Sequence, residues 1–188
     1  MNIILIGYRG SGKTSVGREL ARILDRPFFD SDRMIFAKTG RSIGEIVETS
    51  GWQAFREMEK AVIADLSGLD GVVIALGGGA VMDADNVAMF GKKDRFVWLQ
   101  ADTRVLALRM SGDQNGAAQR PALTAAGTLA EIDEVLSKRL PFYRDIADAI
   151  IDTTGKEPAG IAAEIIALLD KKRVGEQKRP KRRQIHVR

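Results

Sequence analysis

The feature that most constrains this chain is the stretch GYRGSGKT at residues 7–14. It follows the apolar run NIILI and precedes a segment in which Leu20, Ile23 and Leu24 recur at helical spacing. A strand, a glycine-rich loop and a helix in this order form the context in which backbone N–H groups surround phosphate oxygens. A plain glycine-rich turn is the alternative, and the flanking strand and helix disfavour it. We therefore expect a nucleotide phosphate site.

Two side chains of this motif have specific expected roles. Lys13 is expected to reach the β- and γ-phosphates, and the Thr14 hydroxyl is expected to ligate Mg²⁺. The predicted nucleotide-binding residues of the loop are Gly10, Ser11, Gly12, Lys13, Thr14 and Ser15. The motif indicates a nucleotide but no particular reaction, so other residues must show what accepts the phosphoryl group.

Short apolar runs alternate with helical patterns along the chain. The runs typical of strands are NIILI (2–6), FF (28–29), GVVIAL (71–76), RFVWL (95–99) and DAIID (148–152). Near-continuous apolar strands separated by helices predict an α/β fold. In such a fold a parallel sheet is buried between two layers of helices.

Helix starts are indicated at three places. Ser42 with Glu45 and Thr128 with Glu131 have the spacing of capping boxes. Proline suits the first turn of a helix, which predicts a final helix over 158–169.

Charge divides the chain into one domain and a basic tail. Residues 1–170 contain 20 of the 29 Lys and Arg and 24 of the 25 Asp and Glu, a net charge of −4, and we expect a single domain there. Residues 171–188 contain the other nine bases and one acid, and we expect disorder. The basic excess therefore gives no reason to expect nucleic-acid binding by the body. A solubilising tail is favoured over one that binds an acidic partner.

Cysteine and histidine usage excludes several chemistries. The chain has no cysteine, which excludes disulfides and thiolate ligands and fits a cytoplasmic location. His186 is the single histidine and lies in the tail, so imidazole catalysis in the body is excluded. No apolar run reaches the roughly 18 residues that a membrane-spanning helix needs, so we expect no membrane association.

Two groups of residues stand where predicted strands end. Asp30 and Asp32 follow the second strand, and GGG at 77–79 follows the third. Ligands of open parallel sheets bind at the carboxyl ends of the strands, so both groups should face the crevice of the phosphate loop. Two residues apart on a strand end, the aspartates would point to the same side, with Ser31 as a spacer. A tight turn is the alternative for the glycines, although one glycine usually suffices for a turn.

Three arginines are further candidates for the site. Arg56 and Arg139 lie in helical patterns, where a solvated surface arginine is the ordinary alternative. Arg120 lies in the segment 111–127, which is rich in Gly, Ala and polar residues and reads as a mobile lid. An arginine in a lid can close over phosphates and balance transition-state charge.

Together these residues resemble the shikimate kinases. The segments GYRGSGKTS, DSD, FREME, GGGAV, RP and KRLPFY occur in the order and rough spacing of that family, over about residues 3–169. The resemblance implies transfer of the γ-phosphoryl group of ATP, with one Mg²⁺ ion, to the 3-hydroxyl of shikimate, in the biosynthesis of chorismate and aromatic amino acids. It also implies a five-stranded sheet in the order 2-3-1-4-5 and a monomer.

The resemblance implies roles for residues on the acceptor side. Asp32 would bind the ring hydroxyls and orient or deprotonate the attacking one, and Asp30 would reach the Mg²⁺ through water. Arg56 and Arg139 would hold the carboxylate, since planar guanidinium groups bind carboxylates with two hydrogen bonds. The acceptor-binding glycines would be Gly77, Gly78 and Gly79, and the acceptor-binding region as a whole would span about 31–60.

The resemblance also implies roles on the nucleotide side. Arg120 would contact phosphate from the lid and would share the catalytic role with Lys13 and Asp32. Lys156 and Pro158 would lie on one side of the adenine, with Arg109 on the other.

The lid departs from the family pattern. The stretch from Arg109 to Arg120 is several residues longer than expected, and Ala122 stands where a leucine is more usual, so altered closing of the lid is expected. Two other functions stay open: a related kinase of another polyol acid, such as gluconate, and a catalytically weak nucleotide- and shikimate-binding module whose tail binds partners.

Overall fold

A computed structural model describes residues 1–112 and 128–176 of the chain. Its centre is a five-stranded, fully parallel sheet in the order β2-β3-β1-β4-β5, which confirms the predicted fold and strand order. The strands are β1 (Ile3–Ile6), β2 (Phe28–Asp30), β3 (Val73–Ala75), β4 (Arg95–Gln100) and β5 (Ala149–Asp152).

Helices cover both faces of the sheet. They are α1 (Lys13–Leu24), α2 (Ser31–Thr39), α3 (Ile43–Ser67), α4 (Ala84–Ala88), α5 (Thr103–Gly112), α6 (Thr128–Ile146) and α7 (Pro158–Glu176), with a short 3₁₀ turn at Ala80–Met82. Within these described ranges, no helix combines the length and the apolar character needed to span a membrane.

The central strand β1 is apolar at every position because both of its faces are covered. Ile3 and Leu5 of β1 pack in one buried cluster with α1 and α7, whereas Ile4 and Ile6 pack in another with α3 and α6. Successive side chains of a strand point to opposite faces, so a strand covered on both faces needs an apolar residue at every position. This explains the continuous run IILI.

Two sequence expectations need correction here. Ile23 was assigned to the buried face of α1 but is 42% exposed, and Val16 and Ala21 are buried with Leu20 instead. The final helix does not end at Leu169 but continues through Glu176, so the first part of the expected tail is helical. Residues 177–188 lie outside the described residues.

The long element α3 contains a bend. Its N-terminus has the predicted capping box, in which Ser42 Oγ accepts from Glu45 N and Glu45 Oε2 accepts from Ser42 N. Gly51 then adopts φ 82° and ψ 169°, which interrupts the helix between the segment opened by Ser42 and the segment that contains Arg56. The bend leads the second segment to the carboxyl edge of the sheet.

The loop between β1 and α1 depends on glycine for space and for conformation. Gly7 has φ 139°, and a Cβ atom there would lie 2.3 Å from the carbonyl oxygen of Leu99 in β4. Gly12, the N-cap of α1, has φ 91°. Only glycine adopts such positive φ values at little cost. The loop therefore packs directly against the end of β4.

We predict that Gly17→Ala destabilises the protein although alanine favours helices. A Cβ atom at Gly17 would lie 2.3 Å from Phe28 Cε2, so the Phe28 ring, α1 or β2 must shift. We expect a loss of about 1–3 kcal/mol in the free energy of unfolding, measured by urea denaturation.

The matched control for this prediction is Gly160→Ala in α7. A Cβ atom at Gly160 meets no atom within 4 Å, so this variant should gain about 0.5–1 kcal/mol. Equal changes in the two variants would contradict the close packing of α1 on β2.

Candidate active site

The phosphate loop holds its lysine along the loop itself. Lys13 Nζ donates to the carbonyl oxygens of Gly7, at 2.8 Å, and Tyr8, at 2.9 Å. The ammonium group therefore lies over the concave side of the loop, where the N-terminus of α1 also points. Both features favour an anion at this place.

Thr14 and Asp30 form the pair expected to serve a metal ion. Thr14 Oγ1 donates to Asp30 Oδ2 at 2.8 Å. The other carboxylate oxygen, Oδ1, accepts from the backbone N–H groups of Asp32 and Arg33 and so caps α2. A hydroxyl and a carboxylate are hard oxygen ligands, which suit Mg²⁺ that keeps several waters and binds phosphates. The residues present therefore fit the predicted ion.

The strand geometry assumed for Asp30 and Asp32 is wrong. The strand β2 ends at Asp30, and Asp32 lies in the first turn of α2, so strand alternation does not relate their side chains. The two carboxylates nevertheless face different groups. Asp32 Oδ1 lies 2.7 Å from where a Cβ of Gly77 would be, away from Thr14. Ser31 is more than a spacer, because its buried Oγ accepts from Gly77 N at 2.9 Å.

A cavity beside the phosphate loop brings the predicted acceptor residues together. It is lined by Lys13, Asp32, Arg56, Gly77, Gly78, Gly79 and Arg139, all of them predicted, and by Arg9, Ile43, Trp52, Phe55 and Glu59, which the sequence argument missed. Lysine, aspartate and two arginines thus meet in one crevice at the carboxyl edge of the sheet.

The glycine triplet makes room for these charged side chains. A Cβ atom would lie 2.7 Å from Asp32 Oδ1 at Gly77, 3.2 Å from Arg139 Nη1 at Gly78, and 2.6 Å from Arg56 Nη2 at Gly79. Each glycine therefore accommodates a different functional side chain. The segment is also a tight turn, in which Ala80 N donates to Gly77 O at 3.0 Å, so the turn and the close approach of side chains occur together.

Arg56 is held by one ion pair and two rings. Its Nη1 pairs with Glu59 Oε2 one turn later in α3, and its Cζ lies 5.1 Å from the ring centroid of Phe55 and 5.7 Å from that of Trp52. These contacts fix the guanidinium with its other nitrogen, Nη2, toward Gly79. The alternative of a freely solvated surface arginine does not describe it.

Arg139 is oriented from the opposite side of the cavity. Its Cζ lies 5.6 Å from the ring centroid of Tyr8 in the phosphate loop. One turn further along α6, the hydroxyl of Tyr143 donates to the carbonyl oxygen of Gly78. Burial raises the pKa of Tyr143 to about 12, so this hydroxyl keeps its proton. The two arginines therefore approach the glycine triplet from α3 and α6.

Glu59 is the acidic residue that the sequence argument missed. Its side chain is 1% exposed, and burial raises its pKa to about 7 against the opposing effect of Arg56. The side chain of a glutamate in a helix is ordinarily expected to be exposed to solvent. The available signal was its position, four residues after Phe55 and four before Ile63, on the buried face of α3.

The residues expected around the adenine lie near the other end of the loop. Arg109 donates to Gly10 O at 3.3 Å and, from Nη2, to Thr153 O at 2.8 Å, so it links the phosphate loop to the segment between β5 and α7. Pro158 begins α7, and Lys156 is exposed and pairs with Glu164 at 2.7 Å.

Ser15 and Arg120 are the two remaining predicted site residues. Ser15 is exposed in the first turn of α1. Arg120 and most of the expected lid, residues 113–127, lie outside the described residues.

The family model and the curated relatives that match this chain are shikimate kinases. The family model for shikimate kinase matches residues 9–170. A shikimate kinase from Syntrophus aciditrophicus is 44% identical over 173 residues, covering 88% of this chain and 89% of that protein. One from Pseudomonas syringae pv. syringae is 42% identical over 168 residues, covering 89% and 95%. The chain belongs to the shikimate kinase family.

Solved structures agree with this family. The structure of a shikimate kinase from Acinetobacter baumannii in complex with shikimate has a TM-score of 0.85 and 34% identity, and the match covers 92% of this chain and 94% of that one. A gluconokinase from Sinorhizobium meliloti 1021 has a TM-score of 0.52 at 18% identity, which indicates a shared fold only. Membership of the family makes the chain an ATP-dependent kinase, in agreement with the geometry of the phosphate loop.

We predict that Glu59 makes the kinase less stable as the pH rises. The folded state keeps Glu59 protonated up to about pH 7, whereas the unfolded chain ionises it near its ordinary pKa of 4.5. Between these values the unfolded state releases a proton that the folded state retains, which favours unfolding. The free energy of unfolding of Glu59→Gln, minus that of the wild type, should therefore increase from pH 4.5 to pH 7 and then level off.

The control for this prediction has the opposite sign. Hydrogen bonding with Ser42 lowers the pKa of Glu45, so its contribution to stability is present above the ordinary pKa and is lost at lower pH. The same difference for Glu45→Gln should fall as the pH rises toward 4.5. Urea denaturation at several pH values measures both, and a flat profile for Glu59→Gln would contradict the buried position of its charge.

Proposed function

We propose that this kinase transfers the γ-phosphoryl group of ATP to the 3-hydroxyl of shikimate, giving shikimate 3-phosphate and ADP. The observation that supports this most directly is the cavity in which Arg56, Arg139 and Asp32 converge beside Lys13. The relative of known structure with 34% identity was solved with shikimate bound.

The acceptor chemistry fits the residues of the cavity. Shikimate has one carboxylate and three hydroxyls. The carboxylate suits Arg56 and Arg139, because each guanidinium can donate two parallel hydrogen bonds. The hydroxyls are donors, and the carboxylate of Asp32 is an acceptor near the triplet at 77–79. The acceptor is therefore oriented at both of its ends.

Positioning and charge neutralisation account for most of the catalysis in this proposal. Phosphoryl transfer through a loose transition state needs aligned reactants more than a strong base. Asp32 would orient the attacking hydroxyl and accept its proton late, while Lys13 would stabilise charge on the β- and γ-phosphates. Thr14 and Asp30 would hold a Mg²⁺ ion, which supplies neutralising charge to the phosphates when bound. Arg120 would add positive charge from the lid.

Two other functions are weaker alternatives. A kinase of gluconate or another polyol acid would require Arg56 and Arg139 to hold a different carboxylate. A catalytically weak binding module would not need to keep Lys13, Thr14 and Asp32 in one crevice. The monomeric state, the cytoplasmic location and the role of the basic tail remain predictions of the sequence.

One assay tests the proposed function against both alternatives. ADP formation is measured with shikimate, gluconate, quinate and nucleoside monophosphates as acceptors. Turnover with shikimate well above the background ATPase activity is expected. Turnover with gluconate alone would support the second function, and binding of shikimate without turnover would support the third. No turnover with shikimate overturns the proposal.

We predict that Arg56→Ala and Arg139→Ala each weaken shikimate binding by about tenfold to a hundredfold, the range for hydrogen bonds to a charged group. The affinity for ATP measured without shikimate should stay within about threefold, because both arginines are proposed to bind the acceptor carboxylate and not the nucleotide. Isothermal titration with each ligand measures both values.

The exposed Arg144 on the same helix as Arg139 supplies the matched control. Arg144→Ala should leave both affinities unchanged, which excludes a general effect of lowering the positive charge. Equal losses for shikimate and ATP in Arg56→Ala or Arg139→Ala would mean that the acceptor site is assigned wrongly.

We predict that Asp32→Asn lowers kcat more than it lowers shikimate affinity. The amide keeps one hydrogen-bond acceptor but cannot take the proton, and general-base contributions are typically about 10²–10⁴-fold. A loss of kcat below about tenfold would assign Asp32 to positioning alone. Steady-state kinetics with varied shikimate at saturating ATP separates kcat from KM.

A further inference from the structure

The aromatic ring of Tyr8 stands at a position of the phosphate loop that the nucleotide motif does not specify. The motif G-x-x-x-x-G-K-[ST] leaves this position open, so phosphate binding does not ask for an aromatic residue. Yet Tyr8 is only 2% exposed, and it packs in a buried cluster with Leu106 of α5 and with Ile132 and Val135 of α6. Its ring therefore packs against α5 and α6 and is shielded from solvent.

The guanidinium group of Arg139 lies over the face of the Tyr8 ring. The guanidinium carbon lies 5.6 Å from the ring centroid, within the distance at which a cation is attracted to an aromatic face. On its other side, Nη1 of Arg139 comes within 3.2 Å of the Cβ position of Gly78, and Gly7 O lies 3.3 Å from that same position. Arg139 thus lies against a wall that residues 7 and 8 help to form.

The same two residues bind the lysine of the nucleotide site. Lys13 Nζ donates to the carbonyl oxygens of Gly7 and Tyr8, and Ser11 N donates to the carbonyl oxygen of Tyr8 at 3.2 Å. A phosphate that draws Lys13 toward itself changes the hydrogen bonds of the peptide whose side chain supports Arg139. The nucleotide site and the acceptor-carboxylate site therefore share one short piece of backbone.

We propose that Tyr8 is a positioning residue that holds Arg139 for the acceptor carboxylate and couples nucleotide binding to acceptor binding. The inference rests on the proposed function, because it takes Arg139 as a carboxylate ligand. When a nucleotide binds and orders residues 7–13, the ring of Tyr8 is held in place against Arg139, and the affinity for shikimate rises. By thermodynamic reciprocity, shikimate raises the affinity for nucleotide by the same factor.

Arg56 provides an internal comparison. It is held by Trp52, Phe55 and Glu59, which all belong to α3, whereas Arg139 is held by the ring of Tyr8 in the phosphate loop. The two arginines have the same charge and the same proposed ligand but different supports. Coupling to the nucleotide should therefore depend on Arg139 and not on Arg56.

The experiment measures the shikimate Kd by isothermal titration with and without Mg²⁺ and the non-hydrolysable analogue AMP-PNP. In the wild type, the Kd for shikimate should fall at least about threefold when the nucleotide is present. The loss of one cation–π contact in a variant corresponds to a loss of about threefold to thirtyfold in affinity. Tyr8→Leu should weaken shikimate binding by a factor in that range and bring the ratio of the two Kd values close to one. Tyr8→Phe, which keeps the ring, should retain the ratio.

Kinetics separate positioning from a merely structural role. Tyr8→Leu should raise the KM for shikimate by more than it raises the KM for ATP, with kcat at saturating substrates within about threefold of wild type. Leu106→Val alters the same buried cluster without touching Arg139, so it should lower the melting temperature without changing the Kd ratio. Loss of the ratio in Leu106→Val as well would reduce the role of Tyr8 to core packing and would overturn the inference.

A second pair of variants covers the case in which Tyr8→Leu does not fold. Arg139→Gln and Arg56→Gln should both weaken shikimate binding, but the Kd ratio should be lost in Arg139→Gln and kept in Arg56→Gln. A ratio retained in Arg139→Gln, or a wild-type ratio of one, overturns the inference and leaves the proposed function intact. No shikimate binding by the wild type in either condition overturns both.

Discussion

Space at the end of β3 is the constraint on which the rest of the site depends. Side chains from α2, α3 and α6 converge on the volume that a Cβ atom at residues 77–79 would occupy, with distances of 2.6–3.2 Å to the nearest of their oxygens and nitrogens. Any larger residue there would push apart Asp32, Arg56 or Arg139. A buried β3 and three glycines thus convert the end of a sheet into a polar cavity, because charged groups can approach the backbone only where side chains are absent.

Balance of charge is the second requirement of such a cavity. Arg56 and Arg139 bring two positive charges, while Asp32 and Glu59 bring carboxyl groups, and a buried charge without a partner is costly. Glu59 is the group that adapts, since burial raises its pKa to about 7 while Arg56 opposes that shift. Arg56 is partly buried against two aromatic rings, which keep its guanidinium group directed toward Gly79. The guanidinium group of Arg56 is therefore held in a defined orientation, as the proposed binding of a carboxylate would require.

The sequence was sufficient for the architecture because the relevant signals are local or repetitive. Continuous apolar runs identified all five strands, and the glycine-rich motif located the phosphate site. The sequence did not predict the geometry correctly where two local signals competed. Asp30 ends a strand but is also a helix N-cap, and the cap places Asp32 in a helix, where strand alternation no longer applies. Glu59 and Tyr8 were missed because their importance lies in contacts between elements far apart in the chain, which no local pattern contains.

The separation of Asp30 from Asp32 follows from this cap. One carboxylate oxygen of Asp30 accepts hydrogen bonds from two backbone N–H groups of α2, and the other accepts one from the Thr14 hydroxyl. These bonds hold the carboxylate next to the phosphate loop. The first turn of α2 then carries Asp32 to Gly77, on the acceptor side. Ser31 secures this arrangement, because its buried hydroxyl accepts from Gly77 N and ties the start of α2 to the glycine triplet. One helix start thus positions both carboxylates. In the proposed reaction, Asp30 would serve the ion and Asp32 the acceptor, in the alignment that an in-line phosphoryl transfer requires.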